Sequence, residues 1–208
     1  MARASARTAA DGGELTERLL DAAAQVLAEQ GLGELTVRRV AERADSSTMG
    51  VYSRFGGRTG ILEALYRRLF GELARALRAV PVSADPLADV RALAVAYRAF
   101  ALAGPQRYAF MFADPLPAFA PGSDLRAETV QTTFAPLLAA VGRTRSGAGQ
   151  VTRATYCLWC VMHGLIGLEF TEVLRTRLDE WNVSGEDEAA AERMFHAGID
   201  AMIAGLEL

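Results

Sequence analysis

Residues Leu35 to Phe55, LTVRRVAERADSSTMGVYSRF, constrain the fold of this chain more than any other stretch. They read as two short segments of helical period hinged on small polar residues, each too short to hold a helix without tertiary support. In the first, Val37, Val40, Ala41 and Ala44 recur at three- and four-residue spacing, while Arg38, Arg39, Glu42 and Arg43 fall on the opposite side. Thr36 supplies an N-cap oxygen, and Leu35 and Val40 stand where a hydrophobic staple closes the entry. Asp45, Ser46 and Ser47 break the period, and Ser47 caps a second segment whose inward positions are Val51 and Phe55. Thr48, Met49, Ser53 and Arg54 then face outward. Such a pair forms a helix-turn-helix, and the small, mostly polar outer face of its second helix suits the base edges of a DNA major groove.

The rest of the chain supplies what this pair packs on. Residues 1–13 are small, polar and basic and read as a mobile arm: either a plain disordered start or an arm able to reach a minor groove. From Leu15, the pattern Leu19, Leu20, Ala23, Val26, Leu27 makes an amphipathic helix ended by Gly31 and Gly33. After Gly56-Gly57, a longer helix carries Ile61, Leu62, Leu65, Leu69, Phe70, Leu73 and Leu77 and stops near Pro81. Asp85 caps the next, with Pro86 at its first position, and it runs to Gly104. Pro105 opens the short segment PQRYAFMF. Asp114 to Gly122, with three prolines, is a loop. A helix over 124–141 is expected to kink at Pro136, and Arg143 to Gly149 reads as a mobile loop. Gln150 to Leu178 is apolar on nearly every side, which predicts burial all round. Ser184, with Asp187 in the capping-box position, opens a last helix whose stripe includes Met194, Phe195, Gly198, Ile199, Met202, Ile203 and Leu206. No stretch alternates as a strand does, and there is no internal repeat, so the chain is all-α.

At 208 residues and 51% hydrophobic, the chain can bury a substantial core. All 22 basic residues are Arg, and 25 acids leave a net charge of −3. Phosphate-gripping domains are usually basic, so any attraction to DNA must be local. The first 60 residues hold eight Arg and eight acids, and Arg38, Arg39, Arg43, Arg54 and Arg58 cluster around the second short helix. Screening over about 10 Å allows such a patch to act on an acidic protein. The longest apolar run, Ala154 to Leu168, is shorter than the ~20 residues of a membrane span, and no signal-like segment opens the chain. A cytoplasmic protein without a membrane partner is expected.

Helix one, Gly31, the Leu35-Thr36 start, Val51-Tyr52, Phe55, Arg58 and Leu62 together resemble the DNA-binding domain of the TetR family of repressors, over the first third of the chain. The chain departs from the family pattern in two places. Asp45 and Ser46 stand where the turn usually has Gly and an aliphatic residue, and Arg58 stands where Lys is common. The segment from Trp159 through His163-Gly164, with PQRYAFMF before it, resembles the C-terminal domain type of that family named for its Trp, His and Gly. The resemblance implies an N-terminal three-helix DNA-binding domain over 14–60 and a helical effector-binding and dimerisation domain over 61–208. It also implies that Thr36, Tyr52, Arg54 and Arg58 hold phosphates and that Arg38, Thr48, Met49 and Ser53 face bases, with Ser47 heading the reading helix. The expected protein is a homodimeric repressor with recognition helices about 34 Å apart on a near-palindromic operator, released by a small hydrophobic or aromatic ligand.

Tyr97, Phe100, Tyr108, Met111, Phe112, Phe134, Trp159, Met162 and His163 are the candidate ligand contacts, since bundles kinked at Pro105 and Pro136 seldom close completely; each is also a natural core residue. Phe195, Gly198, Ile199, Met202 and Ile203 are the candidate dimer contacts. Cys157 and Cys160 have CxxC spacing, but lie in an apolar run without a second pair, which favours packing over a redox or zinc role. No catalytic, phosphate-loop, metal or cofactor motif appears, so neither an enzyme nor a bound cofactor is expected. Two other readings use the same residues: a DNA-binding regulator with a filled core and no effector, and an all-α ligand-binding protein that does not touch DNA.

Overall fold

The computed structural model of the chain describes residues 2–112, 119–144, 148–171 and 188–208. The Ser184 cap with Asp187, the loop prolines Pro115 and Pro117, and residues 145–147 of the expected mobile loop lie outside the described residues. Among the described residues there are nine α-helices and no strand: α1 (Ala2–Gln30), α2 (Val37–Arg43), α3 (Thr48–Phe55), α4 (Arg58–Arg78), α5 (Pro86–Leu102), α6 (Pro105–Phe112), α7 (Ser123–Gly142), α8 (Ala148–Phe170) and α9 (Glu188–Gly205). The first helix begins at Ala2, well before the expected start near Leu15. Five alanines among the first ten residues give that segment high helix propensity, which Gly12 and Gly13 do not interrupt.

The chain divides into two compact units, residues 1–72 with 104–130 and residues 73–103 with 131–208. The division falls inside α4, and the first unit also takes α6 and the start of α7.

In the first unit α1 is the wall on which the helix-turn-helix packs. Its Leu19, Leu20, Ala23, Val26 and Leu27 are buried, facing α2 and α6, each large side chain contributing about 1.5–3 kcal/mol by leaving water. Arg68 of α4 pairs with Asp21 and Glu17 of α1 and with Glu72 one turn on. A ring cluster closes the other side, with Tyr66 4.7 Å from Phe70 and 6.1 Å from Phe110, and Phe110 stacked 5.5 Å from Phe119.

The second unit is built from α5, α8 and α9, which pack on one another, with the ends of α4 and α7. Asp85 caps α5 by accepting from the Leu87 amide at 2.9 Å, and Pro86 stands in its first turn, as the sequence required. Two expectations change here. Helix α8 is not buried all round: Ala154, Leu158, Met162 and Ile166 point inward at four-residue spacing, while Tyr156, Cys160, Gly164 and Leu168 form an exposed row. The apolar stripe of α9 is not left for a partner chain either. Phe195, Ile199 and Ile203 are buried within this chain, Met202 is half-buried, and Gly198 lies so close to α8 that a Cβ there would stand 2.7 Å from Leu165 Cδ1. A sequence shows that a stripe needs cover, but not whose surface supplies it.

Candidate functional site

The two caps form as their residues dictate. Thr36 Oγ1 accepts from the Arg39 amide at 3.2 Å, and Ser47 Oγ accepts from the Gly50 amide at 3.1 Å. Leu35 and Val40 are fully buried beneath α2, as a staple requires. Between the helices, Asp45 takes a left-handed φ of 49°. Its amide bonds the Glu42 carbonyl at 3.2 Å, and the Ser46 amide bonds the Ala41 carbonyl at 2.9 Å. This is the paired closure usually made around a C-terminal glycine, here carried by Asp, one of the few residues that tolerate the conformation.

The missing aliphatic at Ser46 is replaced by two contacts the sequence did not reveal. Arg18 of α1 donates to the carbonyls of Ala44 and Asp45 at 2.5 and 3.3 Å, so a guanidinium caps the negative end of α2. Ser46 also sits against Gly50, where a Cβ would come within 2.9 Å of its Oγ. Gly50 was the available signal, since glycine inside a short helix usually marks a close approach.

The joint from α3 to α4 is equally tight. Gly56 closes α3 at φ 69°, its amide bonding the Tyr52 carbonyl at 2.9 Å. A Cβ on Gly60 would lie 1.8 Å from the Phe55 carbonyl oxygen, so the first turn of α4 rests directly on the end of α3.

Thr36, Arg38, Ser47, Thr48, Met49, Tyr52, Ser53 and Arg54 are all exposed, with Met49 at 73% and Tyr52 at 54%. An apolar side chain this exposed on a helix gains nothing from folding and is available for contact with thymine methyl groups. Arg58 differs from the others. Its Nε donates to the Leu35 carbonyl at 2.8 Å and its Nη2 to the Leu32 carbonyl at 3.2 Å, so it clamps the entry to α2 to the start of α4.

The three arginines of α2 all have carboxylate partners in this chain. Arg38 pairs with Glu42 at 2.7 Å, Arg39 with Glu34 at 2.7 Å, and Arg43 with Glu29. The Glu29 carboxyl is held below its usual range, chiefly by the hydrogen bond from Arg43. The local balance of charge seen in the sequence is therefore a set of contacts. Arg38, 84% exposed, can exchange Glu42 for an outside acceptor at small cost.

In the second unit the structure gathers Tyr97, Phe134, Trp159 and His163, with Met162 buried beside them in sequence and Phe100 half-buried on α5. Trp159 lies 4.7 Å from the His163 ring and 5.9 Å from Phe134, and Tyr156, absent from the expected set, lies 4.7 Å from Phe134. Burial alone pushes the His163 pKa down to about 4, so the imidazole is neutral at pH 7. The indole of Trp159 can only donate, which it does to the Tyr97 oxygen at 3.4 Å, and the Tyr97 hydroxyl shares a hydrogen bond with His163 Nε2 at 2.8 Å. Tyr108, Met111 and Phe112 belong to the first unit, where Phe112 packs 4.9 Å from Tyr108 and 5.2 Å from Phe70.

A cavity of about 340 Å³ lies elsewhere in the second unit. Its apolar walls come from Leu77, Val80, Pro81 and Val82 after α4, Leu93 of α5, and Ala135, Pro136, Ala139 and Ala140 of α7. Arg78, Asp89 and Arg143 supply its polar groups. Asp89 accepts from the Ser83 amide through both oxygens, at 3.0 and 3.1 Å, and pairs with Arg143. Hydrogen bonding from Ser83 and then the Arg143 guanidinium hold its carboxyl below the usual range, against the opposing effect of burial. The kink expected at Pro136 pointed to α7, but nothing in the sequence placed Asp89 and Arg143 together.

Cys160 is exposed and Cys157 half-buried, which corrects the picture of two thiols sealed in an apolar helix. Among the described residues no cluster of three or more side chains could hold a metal ion, and no helix is long and apolar enough to cross a membrane.

A helix-turn-helix carried on α1, with a separate helical unit, is the architecture of a class of DNA-binding regulators. The sequence matches the family description "Bacterial regulatory proteins, tetR family" over residues 19–65 and "Tetracyclin repressor-like, C-terminal domain" over residues 90–202. The second match spans more than half of the chain, and the protein belongs to the TetR family of transcription regulators. The C-terminal description names a repressor-like domain and does not specify the type named for Trp, His and Gly.

Solved structures share the fold. The regulatory protein SCO4313 is 24% identical with a TM-score of 0.72, over 93% of this chain and 97% of that one. A TetR family transcription regulator from Shewanella sp. PV-4 is 16% identical with a TM-score of 0.65, over 90% and 97%. A TetR protein from Acinetobacter baumannii AYE, solved with minocycline, is 21% identical with a TM-score of 0.58, over 91% and 94%. A comparison with curated proteins gives no match.

Proposed function

We propose that this protein is a homodimeric repressor that leaves its operator when a small hydrophobic ligand enters the second unit. The observation that carries the DNA half is the outer face of α3: Thr48, Met49, Tyr52 and Ser53 are exposed together on a helix held by Gly60 and the Arg18 clamp. Exposed Arg38 adds a candidate base contact, and Tyr52 a phosphate contact of the kind that positions the reading helix without specifying sequence. Phosphate binding then falls to Thr36, Tyr52 and Arg54 more than to Arg58, whose guanidinium holds the Leu32 and Leu35 carbonyls.

The exposed row Tyr156, Cys160, Gly164 and Leu168 of α8, with Met194 on α9, is the surface that supports dimerisation. Phe195, Gly198, Ile199 and Ile203 then act behind that surface, holding α9 to α8. The relative solved with minocycline supports a ligand of drug-like size. A ligand favouring the non-binding state by about 3 kcal/mol lowers operator affinity roughly a hundredfold.

The test is a mobility-shift assay with the DNA upstream of the protein's own gene. Salt-sensitive binding by the wild type is expected, lost in Arg38→Ala with Tyr52→Ala. Absence of binding by the wild type, or undiminished binding by the double variant, overturns the reading.

A further inference from the structure

We infer that the groove bounded by Leu93, Pro136 and Ala139, with Arg78, Asp89 and Arg143 at its polar edge, is a binding site for a small amphiphilic carboxylate. Its volume, about 340 Å³, lies at the low end for ligand pockets, room for one short apolar body and too little for a helix or peptide segment. The walls are almost wholly apolar, and covering such a surface releases water at about 25 cal/mol per Å².

The charges select the head group. Two guanidinium groups and one carboxylate line the groove. Asp89 is bonded on three sides, by the Ser83 amide through both oxygens and by Arg143, so its charge is already matched. Arg78 is exposed and makes no ion pair among the described residues. One positive charge is therefore left over beside an apolar floor. A monocarboxylate balances it, whereas an amine adds to the excess and a dianion leaves a surplus charge against apolar walls. The site rests on the groove alone; a role in releasing DNA rests on the repressor reading above.

The experiment is isothermal titration of the full chain with decanoate below its micelle concentration, with decanol and decylamine as controls. Saturable binding of decanoate is expected. Ala139→Phe, at an exposed position where a ring fills the groove, should weaken it at least about tenfold, and Ala135→Phe is a second blocking variant whose fold circular dichroism checks in the same way. Arg78→Gln should weaken decanoate about fivefold and leave decanol unchanged. No saturable binding, binding unchanged in both blocking variants, or equal loss of decanoate and decanol in Arg78→Gln overturns the assignment. Addition of decanoate to the mobility-shift assay separates the two readings: binding to the groove without release of DNA sinks an effector role for this ligand and leaves the site standing.

Discussion

The Tyr97 hydroxyl and His163 Nε2 lie 2.8 Å apart on α5 and α8, with the Trp159 indole donating to the same hydroxyl. Burial holds the His163 imidazole neutral in this arrangement. A proton taken up by His163 would place a charge in a site largely shut off from water.

Stability should therefore fall in mild acid. The folded-state pKa of His163 is lowered to about 4 from 6.5, so the unfolded chain takes up a proton first as pH drops. The contribution is fully present above 6.5 and is lost between there and about 4. From pH 7.5 to pH 5 the loss from this group is about 2 kcal/mol. Urea unfolding of wild type and His163→Gln at the two values measures it, and an equal pH dependence in the variant rules out His163 as the source.

Arg58 gives a test between clamp and phosphate ligand. Because its guanidinium holds the Leu35 and Leu32 carbonyls, Arg58→Ala should cost about 1–3 kcal/mol of stability, chiefly through the Leu35 carbonyl losing its donor, since Leu32 keeps the bond from the Leu35 amide. The salt dependence of DNA binding should stay close to that of the wild type, because no phosphate contact is removed. Arg54→Ala should do the opposite. A shallower salt slope in Arg58→Ala with unchanged stability reverses the assignment.

The elements were legible because their signals are local. Thr36, Ser47 and Asp85 mark helix starts through bonds made within three residues and Pro86 through its fixed φ, and the stripes of α1, α4 and α9 follow from a period of 3.6. Partners across sequence were not legible. Phe195 and Ile199 announce an apolar stripe without saying that α8 of the same chain covers it, and Tyr156 looks like any other aromatic of α8 until Phe134 is placed beside it. The exposed face of α3 was readable because Thr48, Met49, Tyr52 and Ser53 share one short helix. The groove was not, since Arg78, Asp89 and Arg143 come from three separate segments.

Arg98 and Glu169 were equally hidden. They form a two-pronged pair at 2.6 and 3.0 Å, each only 13% exposed, and the guanidinium also lies 5.7 Å from the Phe195 ring centroid. Removing one partner leaves a charge poorly solvated, so Glu169→Ala should destabilise the second unit by about 3 kcal/mol. Replacing both, as Arg98→Met with Glu169→Leu, should cost markedly less. A double-mutant cycle measures this, and additive losses remove the pair as a coupled element.

Gly60 and Gly71 set two glycines of one helix against each other. Both lie in α4, where alanine is intrinsically favoured over glycine by roughly 1 kcal/mol. A Cβ on Gly71 meets nothing within 4 Å, so Gly71→Ala should stabilise the protein by up to about that amount. A Cβ on Gly60 falls 1.8 Å from the Phe55 carbonyl oxygen and 2.8 Å from its carbon, which are backbone atoms that no rotamer change can move aside. Gly60→Ala should therefore destabilise by more than about 2 kcal/mol despite its better propensity. Relief of the clash must shift the end of α3, so operator affinity should fall even where the variant remains folded. Paired thermal unfolding and mobility-shift measurements on the two variants check this. A Gly60→Ala protein as stable as Gly71→Ala, with operator binding intact, would show that the joint between α3 and α4 is not fixed by contact at Gly60.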